Sequence, residues 1–305
     1  MNKEFLDLAE QLKSSVSCTV RLNELMSGHT SFKIGGPADI LVLPESIEQL
    51  REVLKVVKET VVPLTLLGNG SNVLVRDKGI RGIVIKLGNM LRHFYEAEDL
   101  LVFGSGYSLA LASYKAMECG RTGMEFAVGI PGSIGGAVYM NAGAYDGEMQ
   151  NIVNCVKVMD LQGNERVLTA EELNFGYRKT SLQNSGLIVT EVTLKMPSGN
   201  KDEIKSKMDD FSHRRISKQP LEMPSAGSMF KRPPGYFAGT LIDQAGLKGY
   251  TVGGAQISTK HAGFVVNVGG ATAADVLQLI KDVQTKIKAG VGVELQAEVL
   301  VIGEE

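Results

Sequence analysis

The segment GMEFAVGIPGSIGGAVYMNAGAY (123–145) says most about the fold, because six of its residues are glycine and it contains no cation. No lysine or arginine occurs between Thr122 and Gln150. An anion bound here would therefore be held by backbone N–H groups, with Ser133 and Asn141 as further donors. Three residues without a Cβ would let the main chain approach it closely: Gly132, Gly135 and Gly136. The alternative interpretation is glycine-mediated packing or a mobile loop.

A second glycine-containing segment, LGNGSNVLVRD (67–77), lies between two apparent strands. It lacks the helix-opening G-x-G-x-x-G of a Rossmann fold and the G-K-[ST] of a Walker loop. A tight turn remains, either a plain hairpin turn or a nest of backbone N–H groups that cradles phosphate. Together the two segments suggest a dinucleotide whose pyrophosphate lies between two domains.

The flanking residues predict alternating strands and helices. Apolar runs predict strands at 39–44, 63–68, 72–76 and 82–87, and Ser46 with Gln49 forms a candidate capping box before a helix. A second block contains a helix over 108–118, a hairpin over 151–169 and a strand at 187–196. We predict two α+β blocks from this pattern, at 1–88 and 89–200.

The composition changes after Pro197, where a charged helix begins near residue 201. A last helix over about 272–289 carries Val276, Leu279, Ile280 and Val283 on one face, and a strictly alternating strand follows at 293–302. The sequence therefore predicts a third domain at 201–305.

Composition narrows the class of protein. The 305 residues carry 32 basic and 34 acidic side chains, so no overall basic field favours nucleic acid or an anionic membrane. The three scattered cysteines predict no disulfide framework, and the four histidines show no metal-ligand spacing. The amphipathic N-terminus is not a signal peptide and no apolar run could span a bilayer, so we expect a cytoplasmic protein.

Seven motifs, in order across nearly the whole chain, carry a family resemblance: TSFKIGGPAD (30–39), LGNGSNVLVRD (67–77), the 123–145 segment, YRKTS (177–181), PSAGSMFKRP (224–233), AGLKGYTVGGAQIS-KHAGFVVN (245–267) and ELQAEV (294–299). The chain closely resembles the UDP-N-acetylenolpyruvoylglucosamine reductase (MurB) family of flavoenzymes. This implies an α+β fold: a two-subdomain FAD-binding unit of the vanillyl-alcohol-oxidase (PCMH) type and a C-terminal α+β substrate-binding domain. The segment between Gly246 and Phe264 is short, and in this the chain is similar to the shorter branch of the family.

The resemblance assigns the two glycine segments to FAD. The residues implied in cofactor binding are Gly68, Asn69, Gly70, Ser71, Asn72, Pro131, Gly132, Ser133, Gly135, Gly136, Ala137, Asn141, Gly143 and Arg214. No histidine or cysteine lies in these loops, so the FAD is expected to be non-covalent. NADPH is implied as the hydride-donating co-substrate, which shares the substrate cleft and leaves before the sugar enters.

The implied reaction reduces an enolpyruvyl ether through FAD, with hydride from flavin N5. It needs enolate stabilisers and one acid. Arg178 would pair with the substrate carboxylate, although by itself it is a surface arginine after a turn. Ser228 would donate the proton, although a lone serine after glycine is more often a turn or cap, and AGSMF is not a nucleophile elbow. Glu298 would stabilise the enolate, although its pattern alone is that of a solvated strand face.

A local basic cluster follows residue 210: Arg214, Arg215, Lys218, Lys231, Arg232, Lys248 and Lys260. It would suit a nucleotide diphosphate, and the alternative is a solvated charged face. The substrate-binding residues implied are Tyr177, Lys218, Lys231 and Arg232, although many relatives carry asparagine where Arg232 stands.

Two other functions stay open at this stage. One is a different FAD-dependent oxidoreductase of the same fold, acting on an alcohol or sugar. The other is a non-catalytic nucleotide-binding protein. We expect the UDP-sugar and NADPH as partners, with no nucleic acid, no membrane and no obligate protein partner.

Overall fold

The computed structural model describes residues 3–88 and 90–305. Within these ranges the α-helices are α1 (Lys3–Ser15), α2 (Ile47–Lys58), α3 (Leu109–Glu118), α4 (Ile134–Tyr139), α5 (Lys201–Lys218), α6 (Ala238–Gln244) and α7 (Ala273–Val291). Short 3-10 helices occupy Met26–Gly28, Glu125–Ala127 and Met149–Asn151. No helix in the described ranges has both the length and the apolar character needed to cross a membrane.

The strands are β1 (Thr19–Leu25), β2 (Pro37–Leu43), β3 (Leu64–Leu67), β4 (Val73–Val75), β5 (Ile80–Lys86), β6 (Phe94–Ala97), β7 (Leu100–Gly104), β8 (Gly143–Ala144), β9 (Gly147–Glu148), β10 (Val153–Met159), β11 (Glu165–Thr169), β12 (Ile188–Lys195), β13 (Ser225–Ser228), β14 (Thr251–Val252), β15 (Ala255–Ile257), β16 (Phe264–Asn267) and β17 (Leu300–Ile302). The larger sheets have the orders β1-β2-β5-β3, β11-β10-β12-β7-β6 and β13-β16-β15-β14, and two-stranded pairs are β17-β4 and β8-β9.

The chain folds as two compact units, each discontinuous in sequence. The first comprises Met1–Leu22, Ile40–Asn69 and Ile83–Arg214, and the second comprises Asn23–Asp39, Gly70–Gly82 and Arg215–Glu305. The sequence-based division at 1–88, 89–200 and 201–305 stays a prediction.

The first unit contains an entirely antiparallel five-stranded sheet. Alternate residues of its strands, such as Phe103, Val156 and Val192, share a core with apolar residues of α3 and α4. A second core in the same unit packs α1 and α2, through Leu12 and Leu50 among others, on strand residues such as those of β5. In this core β3 pairs with β5 in parallel.

The second unit packs α6 and α7 on β13–β16 and on β4, which pairs in parallel with β17. The four apolar residues predicted to share one face of the last helix are all buried there: Val276, Leu279, Ile280 and Val283. Four buried residues spaced over two turns are enough to fix which side of a 19-residue helix faces the core.

The predicted strands at 39–44, 63–68, 72–76, 82–87 and 187–196 and the predicted hairpin are confirmed as β2, β3, β4, β5, β12 and β10–β11. The Ser46 hydroxyl does accept from Gln49 N. The strictly alternating strand over 293–302 is wrong, because only Leu300–Ile302 is regular strand. Alternate burial holds at Leu295 and Val299 but fails at Val301, which is exposed where β17 pairs with the short β4.

The N-terminus of α7 is capped from two directions. Thr272 Oγ1 accepts from Asp275 N at 3.1 Å and Asp275 Oδ2 accepts from Thr272 N at 2.9 Å, which completes a capping box. Asp77 accepts from the N–H groups of Ala273 and Ala274, at 2.7 and 2.9 Å. These bonds satisfy donors that have no partner inside the helix.

Thr272→Ala is expected to lower the free energy of unfolding by about 1 kcal/mol, because it removes an N-cap acceptor. Thr285→Ala, an exposed substitution on the same helix, is the matched control and is expected to be neutral or slightly stabilising. Urea unfolding of both variants measures the difference. Equal stabilities for the two variants would contradict the capping role.

Candidate active site

The two glycine segments meet at the Ser133 hydroxyl in the first unit. Ser133 precedes α4 and its Oγ accepts from Gly136 N at 3.3 Å. A Cβ built at Gly68 would lie 3.7 Å from this oxygen, and one at Gly136 would lie 3.4 Å from it. Among the residues that the structure describes, no other atom outside the adjacent chain lies within 4 Å of either position, so both main-chain stretches border open space.

Gly135 has a different role from Gly136. Its N–H donates to Ser105 O at 2.9 Å, and a Cβ at this position would lie 2.7 Å from the Ser105 Cβ. Real Cβ atoms do not approach this closely, so packing requires glycine at position 135. Gly136 instead borders the open space beside Gly68 and Ser133, which we call the glycine cradle.

The glycine cradle has the features of a binding site for a diphosphate. In the described chain, the backbone N–H groups of Asn69 and Gly132, both in the first unit, have no acceptor. Free N–H groups beside open glycines can bind an anion without any lysine or arginine. These residues therefore fit the pyrophosphate of FAD.

Gly136→Ala is expected to weaken FAD binding by on the order of tenfold, about 1.4 kcal/mol, while the apoprotein keeps its thermal stability. Gly135→Ala is the contrasting variant, expected to cost about 1–3 kcal/mol of stability through overpacking. FAD titration of the apoprotein and thermal melting separate the two effects. Unchanged FAD affinity in Gly136→Ala would rule out this cradle as the cofactor site.

The rest of the 67–77 glycine segment, from Gly70 onward, lies in the second unit. Gly70 adopts φ +69°, and a Cβ there would lie 2.3 Å from His29 O. Its carbonyl accepts from Ser31 N at 3.0 Å, and Ser31 Oγ donates to Ser225 O at 2.7 Å. Ser31 therefore ties the glycine turn to strand β13, which carries Ser228.

Ser228 is exposed by a bulge in β13. Ser225 lies opposite Val266 and Ser228 opposite Phe264, so three steps on β13 face two on β16. Gly227, at φ +79°, is the left-handed residue of this bulge, and a Cβ there would touch nothing within 4 Å. Glycine is thus needed for its backbone conformation rather than for space. The bulge leaves Met229 buried and turns Ser228 outward.

Glu298 lies on the stretch next to Ser228. Its N–H donates to Met229 O at 2.8 Å, and Phe230 forms an antiparallel bridge with Ala297. Asn72 Nδ2 donates to the Glu298 carbonyl at 3.4 Å. Glu298 is half-buried, unlike the solvated-face glutamate of the alternative interpretation. Three residues from distant parts of the sequence therefore come together: Asn72, Ser228 and Glu298.

Arg178 lies in the first unit on a strained turn, with φ 56°. Its Nη1 donates to Asn141 O at 3.3 Å and its Nη2 to Gly143 O at 3.1 Å. The guanidinium lies 5.0 Å from the centre of the exposed Tyr177 ring. The structure therefore brings together four residues that the sequence analysis had selected separately: Asn141, Gly143, Tyr177 and Arg178.

The basic residues are distributed along the two units. Arg214 forms an ion pair with Asp210, with Nη2–Oδ2 at 2.7 Å. Arg232 stacks on the exposed ring of Phe237, 4.0 Å from its centre. Lys231 is half-buried, its N–H donating to Gln296 O, and Lys218 is exposed. Their predicted roles toward cofactor and substrate stay predictions.

His261 is a candidate functional residue that the sequence analysis missed, because it considered the histidines only as metal ligands. Gly263 N donates to its Nδ1 at 3.1 Å, which assigns the proton of the neutral ring to Nε2. Burial lowers the pKa of His261, and the charges of Lys248 and Lys218 lower it further. The ring is therefore neutral at pH 7 beside two lysines of the basic cluster. In the described residues no group of three histidine, cysteine, aspartate or glutamate side chains could hold a metal ion.

Comparison with known proteins identifies the class first. Residues 38–169 match the family model of a FAD binding domain, and residues 219–302 match the C-terminal domain of UDP-N-acetylenolpyruvoylglucosamine reductase. The chain thus has the organisation of a FAD-dependent oxidoreductase.

The relatives give the family. The UDP-N-acetylenolpyruvoylglucosamine reductase of Clostridioides difficile is 49% identical over 286 residues, which cover 94% of each chain. That of Clostridium perfringens is 50% identical over 302 residues, covering 99% of this chain and 98% of the relative. The crystal structure of the reductase from Thermus caldophilus is 38% identical, with a TM-score of 0.79, covering 94% of this chain and 99% of that one. The chain belongs to the UDP-N-acetylenolpyruvoylglucosamine reductase family.

The predicted α+β fold class, with a FAD-binding unit of the vanillyl-alcohol-oxidase type, is confirmed by these matches.

Proposed function

We propose that the protein reduces UDP-N-acetylglucosamine enolpyruvate to UDP-N-acetylmuramate in peptidoglycan precursor synthesis, with Arg178, Ser228 and Glu298 as the reacting residues. When bound and reduced by NADPH, FAD would supply the hydride for the terminal carbon of the enolpyruvyl group. The observation that carries the proposal is the bulge at Gly227, which turns a serine outward beside Glu298 and Asn72.

Arg178 binds the substrate carboxylate. When hydride adds to the terminal carbon, negative charge moves into the carboxylate as an enolate, and a fixed guanidinium stabilises that charge more than the ground state. The carbonyls of Asn141 and Gly143 hold two of its N–H groups, at 3.3 and 3.1 Å, so the planar fork is oriented before substrate arrives.

Ser228 gives its hydroxyl proton to the carbon adjacent to the carboxylate. A serine is a weak acid, but an enolate carbon is a strong enough base to accept from a positioned hydroxyl. The alkoxide left on Ser228 then takes a proton from solvent, which the exposed position of this residue allows. One hydride and one proton add across the double bond, so electrons and atoms balance.

Glu298 stabilises the enolate as a hydrogen-bond donor. Its half-buried position and its main-chain bond to Met229 fix it next to the serine strand. Lys218, Lys231 and Arg232 bind the diphosphate and Tyr177 adjoins the carboxylate site. Arg232 stacks on the Phe237 ring, 4.0 Å from its centre, and this contact orients the guanidinium plane.

Steady-state kinetics test the function. NADPH oxidation is expected to require the enolpyruvyl UDP-sugar, with parallel double-reciprocal lines and inhibition by excess substrate, because both substrates use one cleft in turn. UDP-N-acetylglucosamine, which lacks the double bond, is the control. Intersecting lines would contradict the shared cleft, and oxygen consumption with simple sugars would favour the alternative of an alcohol or sugar oxidase.

The cytoplasmic location and the absence of nucleic-acid, membrane and obligate protein partners stay predictions from the sequence.

A further inference from the structure

The side chain of Asn141 is fully buried, 0% exposed, and every hydrogen-bonding atom of its amide has a protein partner. Nδ2 donates to Glu148 Oε2 at 3.1 Å and to Gly176 O at 3.0 Å. Oδ1 accepts from Gln150 N at 3.0 Å. Both amide protons are therefore used inside the protein, although the sequence analysis had predicted Asn141 as a donor to the cofactor.

These three bonds surround the two carbonyls that hold Arg178. The Asn141 carbonyl accepts from Arg178 Nη1, and its amide Nδ2 reaches Gly176, two residues before Arg178. Asn141 thus contacts the arginine loop with both its main chain and its side chain. It also has φ 43°, a left-handed conformation that asparagine tolerates better than most residues.

Glu148 fixes the second carbonyl. It pairs with Gly143 in the short ribbon β8–β9, and a Cβ built at Gly143 would lie 2.6 Å from the Glu148 Cβ. Glu148 therefore contacts Gly143 through the main chain and Asn141 through its carboxylate. The guanidinium of Arg178 is aimed by two carbonyls, and the Asn141–Glu148 hydrogen bond connects the segments that carry them.

We infer that Asn141 and Glu148 are positioning residues that aim the Arg178 guanidinium at the substrate carboxylate. The inference rests on the proposed role of Arg178. Its physical basis is that a carboxylate is recognised in fork geometry only when the guanidinium plane is fixed, and a displacement near 1 Å costs on the order of 100-fold in rate.

Asn141→Asp is the decisive variant. Aspartate retains the acceptor for Gln150 N and tolerates the left-handed backbone, but it faces Glu148 and the Gly176 carbonyl with a charged acceptor instead of a donor. Turnover is expected to fall on the order of 100-fold. Glu148→Gln keeps a neutral acceptor for Asn141 but weakens the hydrogen bond between them, so turnover is expected to fall, though less than in Asn141→Asp.

The double variant Asn141→Asp with Glu148→Gln reverses donor and acceptor between the two positions. The new amide at position 148 can donate to the new carboxylate, so part of the lost rate is expected to return. A purely structural defect would persist in thermal melting, and a defect in cofactor binding would appear as weaker FAD affinity of the apoprotein. Neither is expected to account for the rate loss.

A double-mutant cycle with Arg178→Ala separates this inference from the proposed function. If Asn141 acts through Arg178, Asn141→Asp lowers turnover strongly in the wild-type background and little in the Arg178→Ala background. Equal losses in both backgrounds, or a loss explained by FAD affinity, would overturn the inference alone. If Arg178→Ala itself leaves turnover unchanged, the proposed role of Arg178 fails and the inference fails with it.

Discussion

Ser228→Ala is expected to slow reoxidation of the enzyme by the enolpyruvyl substrate by on the order of 100- to 10,000-fold, the range for removal of a general acid. The methyl group occupies the outward position created by the bulge at Gly227 but has no proton to give. The hydride step from NADPH to FAD does not use this hydroxyl, so bleaching of the yellow absorbance by NADPH is expected to keep its wild-type rate.

The Ser228→Ala experiment is a stopped-flow comparison of the two half-reactions. Ser225→Ala, on the same strand and three residues away, is the matched control for damage to β13. Normal reoxidation of Ser228→Ala would remove this residue from the chemistry. Equal loss in both half-reactions would point instead to a disturbed cofactor site.

Arg178→Ala is expected to reduce turnover by on the order of 100- to 1,000-fold, the usual effect of removing one donor that stabilises developing negative charge. The flavin spectrum should persist, because the open glycine cradle at Gly68 and Gly136 is built from other residues. Arg178→Lys keeps the charge but not the planar fork, so we expect an intermediate rate.

The adjacent exposed Lys179 provides the control for Arg178→Ala, since Lys179→Ala removes a cation from the same loop. The measurement is kcat and KM for the enolpyruvyl UDP-sugar at saturating NADPH. Losses of similar size in both variants would mean that the positive charge of the loop matters rather than the aimed guanidinium.

The helices and strands could be predicted from the sequence where buried residues recur at a regular spacing. The last helix and the strands of the first unit follow from apolar spacing and local caps, which depend on neighbours in the chain. The final strand was misjudged because alternation at Val293 to Val299 reflects packing against Phe230 and its neighbours rather than a regular ladder.

The site was only partly predictable from the residues. Motif resemblance selected Arg178, Ser228 and Glu298, but the spacing of Gly227 gave no sign that a bulge would expose the serine. The two carbonyls that hold Arg178 are main-chain groups, and side-chain patterns do not reveal them. Likewise, Asn141 looked like an anion donor by composition, whereas tertiary contacts use both of its amide protons.

An anaerobic titration tests the central claim most directly: purified holoprotein is reduced with one equivalent of NADPH and then mixed with the enolpyruvyl UDP-sugar. The account predicts that the yellow absorbance disappears in the first step and returns in the second, with UDP-N-acetylmuramate formed in equal amount. If the colour fails to return, or returns equally well with UDP-N-acetylglucosamine, the account is contradicted.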